Sequence, residues 1–221
     1  MSDALLDQMA NSSTGQNNSG FAIAPGIVTN NIDLVGQGRV QVKIPARPSF
    51  EPWARICAVG ASAGRGFMWV PDIGDEVLVA FADNDTSSAF ILGGLWSALN
   101  LPPLVLPNDT LSKRTIKTGL TETLGHTLEF DDALQSITIT TSTDQKISMD
   151  PLSIELTNLA GTVSIKLDNT EQSITLTAAN KIELDALQIS MTATKIEMDA
   201  TEVSITSAGP CSVTGLPIKL N

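Results

Sequence analysis

The single histidine of the chain, His126, stands in GHTLEFDD close to Asp131 and Asp132. An imidazole beside carboxylates is the raw material of general acid–base catalysis or of a metal site. The rest of the sequence does not complete such a site. There is no second His to ligate a metal or activate a serine, and no G-x-S-x-G. GASAGRG lacks the Lys-Ser/Thr that ends a phosphate-binding loop. His126 is expected to pack or hydrogen-bond, and Asp131–Asp132 to form a turn. No catalytic, cofactor-binding or metal-ligating residue is expected, and the chain reads as a non-enzyme.

Three other groups carry potential chemistry. Cys57 in ARICAV and Cys211 near the C-terminus lie far apart, with neither disulfide nor zinc spacing. Cys57 is expected to be a buried thiol in a strand, and Cys211 a packed one. Glu183, Asp185, Glu197 and Asp199 line up at heptad spacing. They open an alternative reading, a monomeric β-solenoid that binds or degrades polysaccharide, but acids alternating with Ser and Thr read more simply as a solvated face. Arg39, Lys43, Arg47, Arg55 and Arg65 suggest a nucleic-acid surface, which needs stacking aromatics. Phe67, Trp69 and Phe81 alternate with apolar neighbours as core residues do, so no nucleic acid is expected.

The elements behind these residues are strands. Hydrophobic residues make up 42% of the 221, yet aromatics only 4%, with no Tyr. A core must therefore come from Ile, Val, Leu and Ala. Residues 121–221 carry 14 acids and 5 Lys, a balance of -9, whereas residues 1–120 carry 10 acids and 8 bases, a balance of -2. Such an acidic C-terminal half repels phosphate backbones. No apolar run approaches the ~18 residues of a membrane helix. MSDALLDQMANSS lacks the features of a secretory signal, so synthesis in the cytoplasm is expected.

Residues 1–24 read as a flexible N-terminal segment in which ALLDQMA is a candidate docking peptide. Residues 25–105 read as a small β domain. GRVQVKIP alternates Val40, Val42 and Ile44, and WARICAV, GFMWVP, DEVLVAFA and AFILGGLW are further short runs between turn signals. Gly74 in PDIGDE sits where a turn calls for positive φ. LNLPPLVLPNDT, with three prolines, reads as an extended linker, and residues 106–124 as linker and needle entry. From 125 to 221 short Ile/Ser/Thr strands succeed one another. Their spacing is loose at first and then locks into KIELDAL, QISMTAT, KIEMDAT and EVSITSA.

A seven-residue period suggests a coiled coil, but there the apolar spacing is three and four. Here it is two and five: Ile182 and Leu184, Ile189 and Met191, Ile196 and Met198, Val203 and Ile205. Positions two apart share a face on a strand and lie on opposite sides of a helix. Each heptad is expected to be one short strand plus a corner, and Ile174 and Leu176 precede them in the same pattern. One unit buries roughly 3–6 kcal/mol of apolar side chain, against roughly 7–14 kcal/mol for ordering seven residues. Cross-strand pairing must supply the difference. Either one chain coils, or three chains intertwine around a shared axis; the thin inward set favours three.

Several stretches resemble the central spike proteins of contractile injection systems, such as phage baseplate assembly protein V and the C-terminal part of VgrG. GRVQVKIP and WARICAVGASAGRGFMWVPDIGDEVLVAFADND are similar to the collar of that family. AFILGGLWSALNLPP, KRTIKTG and LGHTLEFDD are similar to the segments that lead into its needle. The resemblance covers about residues 25–221. It implies an all-β protein, an N-terminal OB-fold collar (25–105) followed by an intertwined, triple-stranded β-helix needle (125–221). About eleven strands at ~4.8 Å per strand would rise roughly 50 Å.

The resemblance further implies a homotrimer that pierces a target membrane mechanically from the baseplate of a phage tail or related particle. A separate hub protein is expected on the N-terminal side, since only about 24 residues precede the collar. Short phage spikes end in a metal-holding His-x-His, which this sequence lacks. Its ending resembles the blunt tips that receive a separate PAAR-type protein, implying Leu216, Pro217, Ile218, Lys219, Leu220 and Asn221 as the tip-protein contact.

Overall fold

The computed structural model describes residues 23–82, 85, 87–119 and 124–218. The N-terminal ALLDQMA, and Lys219, Leu220 and Asn221 of the expected tip contact, lie outside these. The chain divides after Thr177 into two units.

The first unit opens with a closed five-stranded barrel. Its strands are β1 (Ile23–Asn30), β2 (Arg39–Lys43), β3 (Trp53–Ile56), β6 (Glu76–Phe81) and β7 (Ala89–Leu95), in the order β1-β2-β3-β7-β6. All neighbours are antiparallel except β3 and β7, which run parallel. This is an OB-type barrel. A two-residue hairpin, β4 (Ala61–Ser62) and β5 (Arg65–Gly66), projects between β3 and β6.

Period-two alternation dictates the barrel core. Ala24 and Val28 of β1, Val40 and Val42 of β2, Val77, Val79 and Phe81 of β6, and Ala89 and Ile91 of β7 point inward and are buried, as is Ile44 just past β2. Gly26 takes the remaining inward place on β1. A Cβ there would lie 3.0 Å from Val79 Cγ2 and 3.2 Å from Ile44 Cδ1. Gly26→Val is therefore expected to overpack the barrel and lower its stability by about 1–3 kcal/mol, read as a shift in the denaturant midpoint at unchanged slope.

The expected turn at PDIGDE is present. Gly74 has φ +96°, and its N–H donates to Val28 O at 2.9 Å. Three other expectations are corrected. GFMWVP forms no strand beyond Gly66, which ends β5, and Phe67 and Trp69 are exposed, stacked at 6.1 Å between centroids; only Phe81 of the three aromatics is core. Cys57 is exposed, because β3 ends at Ile56 and the next residue turns out at the barrel rim. The proline-rich stretch is not wholly extended, since Pro107–Ser112 forms a short helix, α1. Pro107 suits its first turn, having no N–H to satisfy there, and Asp109 favours the same end.

A second sheet follows: β8 (Lys113–Lys117), β9 (Thr127–Asp131), β10 (Ser136–Thr140), β11 (Lys146–Met149), β12 (Ser153–Thr157), β13 (Ser164–Asp168) and β14 (Ser173–Thr177). Each strand pairs antiparallel with the next in one seven-stranded meander. Here the structure departs from the expected interleaving from residue 125 onward. As far as Thr177 the ladder is made within the chain, because Asp-, Asn- and Gly-bearing loops allow hairpins.

The hairpin loops share a design. After β9 and after β13, the last Asp of the strand accepts two backbone N–H bonds with one oxygen. Asp131 Oδ1 takes Ala133 and Leu134, both at 3.0 Å, and Asp168 Oδ1 takes Thr170 and Glu171, both at 2.9 Å. Each loop closes on a left-handed Gln, Gln135 at φ 52° and Gln172 at φ 51°. Asp131–Asp132 is thus a turn, as its sequence suggests.

The second unit, from Ala178, contains neither helix nor strand among the described residues. No backbone–backbone hydrogen bond joins its described residues to one another. The strands expected of the heptads are not paired within the chain.

Candidate functional site

The alternation of the meander puts all its large aliphatic residues on one face. Register aligns them in two columns. One runs Phe130, Ile137, Met149, Ile154, Leu167, Ile174, with Arg114 at its head; the other runs Ile116, Leu128, Ile139, Ile147, Leu156, Ile165, Leu176. The opposite face carries Ser, Thr, Lys, Glu and Asp. At ~4.8 Å per strand the seven rungs make a strip about 29 Å tall and two side chains wide.

Nothing in the described chain covers this strip. Ile139, Ile147, Ile154, Leu156, Ile165, Ile174 and Leu176 are all exposed. An aliphatic strip of this size is unusual on a free surface and marks an interface. Covering about a dozen half-exposed aliphatic side chains at ~1 kcal/mol each offers on the order of 10 kcal/mol per chain.

Ile174 and Leu176 lie on this strip, at β14. The other expected core residues, Ile182, Leu184, Ile189, Met191, Ile196, Met198, Val203 and Ile205, belong to the second unit, where every residue from 179 to 218 is exposed. Leu216, Pro217 and Ile218 are exposed there too. Lys181 Nζ meets Glu183 Oε2 at 2.7 Å and Lys195 Nζ meets Glu197 Oε2 at 2.6 Å. The acids at heptad spacing are thus partly paired and solvated, which is weak support for a polysaccharide site.

The other candidates are tied into the fold. His126 exchanges bonds with Thr118: its N–H donates to Oγ1 at 3.2 Å, and its carbonyl accepts the Thr118 N–H at 2.9 Å. Its Nδ1 accepts the Ser142 N–H at 3.3 Å. Lys113 Nζ reaches Glu129 at 3.4 Å, Asp109 at 3.6 Å and Asp131 at 3.9 Å, joining α1 to the sheet. These carboxylates, Glu129 first, raise its pKa. Arg55 lies over Phe90 at 4.5 Å, and Arg39 over Trp53 at 5.5 Å. Arg39 also pairs with Asp33 at 2.9 Å. Arg39 and Arg55, both weighed for nucleic acid, are therefore engaged within the barrel.

Asp33 is a feature that the sequence reading missed. It accepts backbone N–H bonds from Val35 (3.1 Å), Gln37 (2.9 Å) and Arg39 (3.2 Å), besides both Arg39 side-chain bonds. The Arg39 side chain, then these amides, hold its pKa far below 3.8. A lowered carboxylate contributes its stabilisation in full above its ordinary value and loses it as pH falls through the lowered one. The 31–38 loop is thus held across neutral and mildly acid pH. The Asp six residues before an Arg, with Gly36 and Gly38 between, was the available signal.

A cleft of about 500 Å³ opens at one end of the barrel. Its walls include Ile56, Cys57, Phe67, Trp69, Trp96 and, from β8, Ile116.

Comparison with known proteins agrees with this architecture. Residues 24–96 match the model of the type VI secretion system/phage-baseplate injector OB domain. The chain is 28% identical over 117 residues to the type VI secretion system spike protein VgrG2a of Pseudomonas aeruginosa, covering 50% of this chain and 14% of that protein. It is 30% identical over 102 residues to the spike protein VgrG3 of Vibrio cholerae, covering 43% of this chain and 10% of that protein. The actin cross-linking toxin VgrG1 of Vibrio cholerae matches at the same identity over 9% of its length. The chain thus spans about a tenth of the length of these relatives. The resemblance to injector spikes read from the sequence stands on these matches. No helix among the described residues is long and apolar enough to cross a membrane.

Proposed function

We propose that this spike-like baseplate protein is a non-enzymatic homotrimer that forms the central spike of a contractile phage tail or related injection particle. The uncovered two-column strip is the observation that carries the reading. Three copies of a strip two residues wide close a narrow prism with a dry aliphatic axis, whereas a single copy leaves it in water. Beyond Thr177 the three chains intertwine, each heptad pairing with its neighbours across the axis as a triple-stranded β-helix. That pairing supplies the backbone hydrogen bonds which the described residues of the second unit do not make with one another.

Such a needle is stiff, because continuous hydrogen bonding leaves no weak plane along it. It transmits the force of contraction to the target membrane. The collar meets a separate hub protein on the N-terminal side, and the C-terminal end carries a PAAR-type tip protein. The protein is made in the cytoplasm and assembled into the particle. The monomeric polysaccharide-acting solenoid is the weaker reading, since a single-chain coil needs parallel ladders and β3–β7 is the only parallel pair among the described strands.

Deleting Pro217–Asn221 tests the tip assignment. The truncated chain is expected to keep its oligomeric state and lose capture of a purified PAAR-type protein. Undiminished capture would overturn that assignment.

A further inference from the structure

The loop between β1 and β2 presents apolar side chains to solvent on a rigid frame. Leu34 is 95% exposed, and Ile32 and Val35 66% each. Exposed aliphatic residues on a mobile loop would mean little. These sit on a loop fixed by the five Asp33 bonds, by Ile32 N–H to Asn30 Oδ1 at 2.9 Å, and by Gly36 N–H to Asp33 O at 2.9 Å. Gly36 (φ +73°) and Gly38 (φ +67°) supply the left-handed corners. The only charges within the loop and its hinge, Asp33 and Arg39, neutralise each other. A preorganised, neutral, apolar knob loses little entropy on docking.

The cleft lies at the same end of the barrel. The loop leaves β1 at Asn30 and re-enters β2 at Arg39, which pairs with Arg55 of β3 next to the cleft wall at Ile56. Asp75 and Glu76 at the start of β6, and Leu95 at the end of β7, form other parts of that wall. Asn31 Nδ2 donates to Pro71 O at 3.3 Å, tying the loop to the cleft-side segment. Yet Ile32, Leu34 and Val35 line no part of their own cleft.

The cleft is also continuous with the sheet strip. Ile116 is both a wall of the cleft and the head of the column that continues through Leu128 and Ile139. Whatever covers the strip also passes the cleft. We infer that, in the three-chain assembly proposed above, the Ile32–Leu34–Val35 knob of one copy docks in the Phe67–Trp69–Trp96 cleft of the next. This inference rests on the three-chain reading. A knob and a cleft at one level, on different parts of one chain, make a head-to-tail contact that closes as a ring under threefold symmetry. It locks the collars together independently of the sheet strip.

Native Cys57 in the cleft wall provides the probe. Leu34→Cys is made with Cys211→Ser, so that the two remaining thiols are those of the knob and the cleft. Under mild oxidation the assembly is expected to give two- and three-chain bands on a non-reducing denaturing gel. These should vanish with reductant and when Cys57→Ala is added, since a disulfide needs Cα atoms within about 7 Å. A particle of three chains that yields no linked chains, or only links within a chain, overturns the knob contact and leaves the three-chain reading standing. A single-chain mass overturns both.

Discussion

Ile165→Asp is expected to turn a three-chain particle into separate chains while leaving the barrel folded. Ile165 sits on β13, next to last in its column, between Leu156 and Leu176. In the single chain it is 42% exposed, so an aspartate there meets water and breaks no intrachain core. In the assembly three carboxylates would converge on a narrow aliphatic axis without cations. Desolvation costs on the order of several kcal/mol per ion, and mutual repulsion adds to it. The threefold multiplicity makes the loss of association far larger than a thousandfold, as each 1.4 kcal/mol is tenfold. Thr175→Asp is the matched control. It lies on the polar face opposite Lys166 in register and should leave the mass unchanged. Sedimentation of both variants decides the matter, and equal masses would place the interface elsewhere.

The second large effect concerns the amides of the heptads. From Ala178 the described chain makes no backbone bonds with itself, so in separate chains these N–H groups face water. Interleaving three chains would give each a cross-chain acceptor. Amides from Ile182 to Ile205 are therefore expected to exchange hydrogen for deuterium near free-peptide rates in the Ile165→Asp chain. In the intact particle they should exchange at least about a thousandfold more slowly, as core ladders do. Rapid exchange in the intact particle would show that the heptads form no needle, even if the sheets associate.

Much of this was readable from side-chain period. Alternation at Val40, Val42 and Ile44 and at Val77, Val79 and Phe81 identified barrel strands, because a half-buried strand must alternate. What failed was local. Phe67 and Trp69 alternate as core residues would, but the hairpin Ala61–Gly66 carries them to the rim, where stacking on each other replaces burial. Cys57 is exposed because β3 ends one residue before it. The helix at Pro107–Ser112 was hidden by proline density, although proline at a helix start is as apt as in an extended linker.

The meander was half legible. Apolar pairs at irregular intervals up to Leu176 leave room for turns, and the left-handed residues Gln135, Asp144, Gly161 and Gln172 provide them. Among the hairpins of the meander only Asp150–Leu152 turns without such a residue, and there Asp150 Oδ1 accepts the Leu152 and Ser153 N–H groups at 2.8 Å instead. After Gln172 no described residue has positive φ, just where the spacing locks to seven. That switch in the sequence marks where pairing within the chain gives way to none. No single-chain pattern could state the number of partners.

The native mass of the intact protein is the most direct test. At micromolar concentration the chain of 23.3 kDa is expected to sediment as three copies and to run as a heat-labile, SDS-resistant band. A mass of one chain, with the Ile165 strip in water, would contradict the spike.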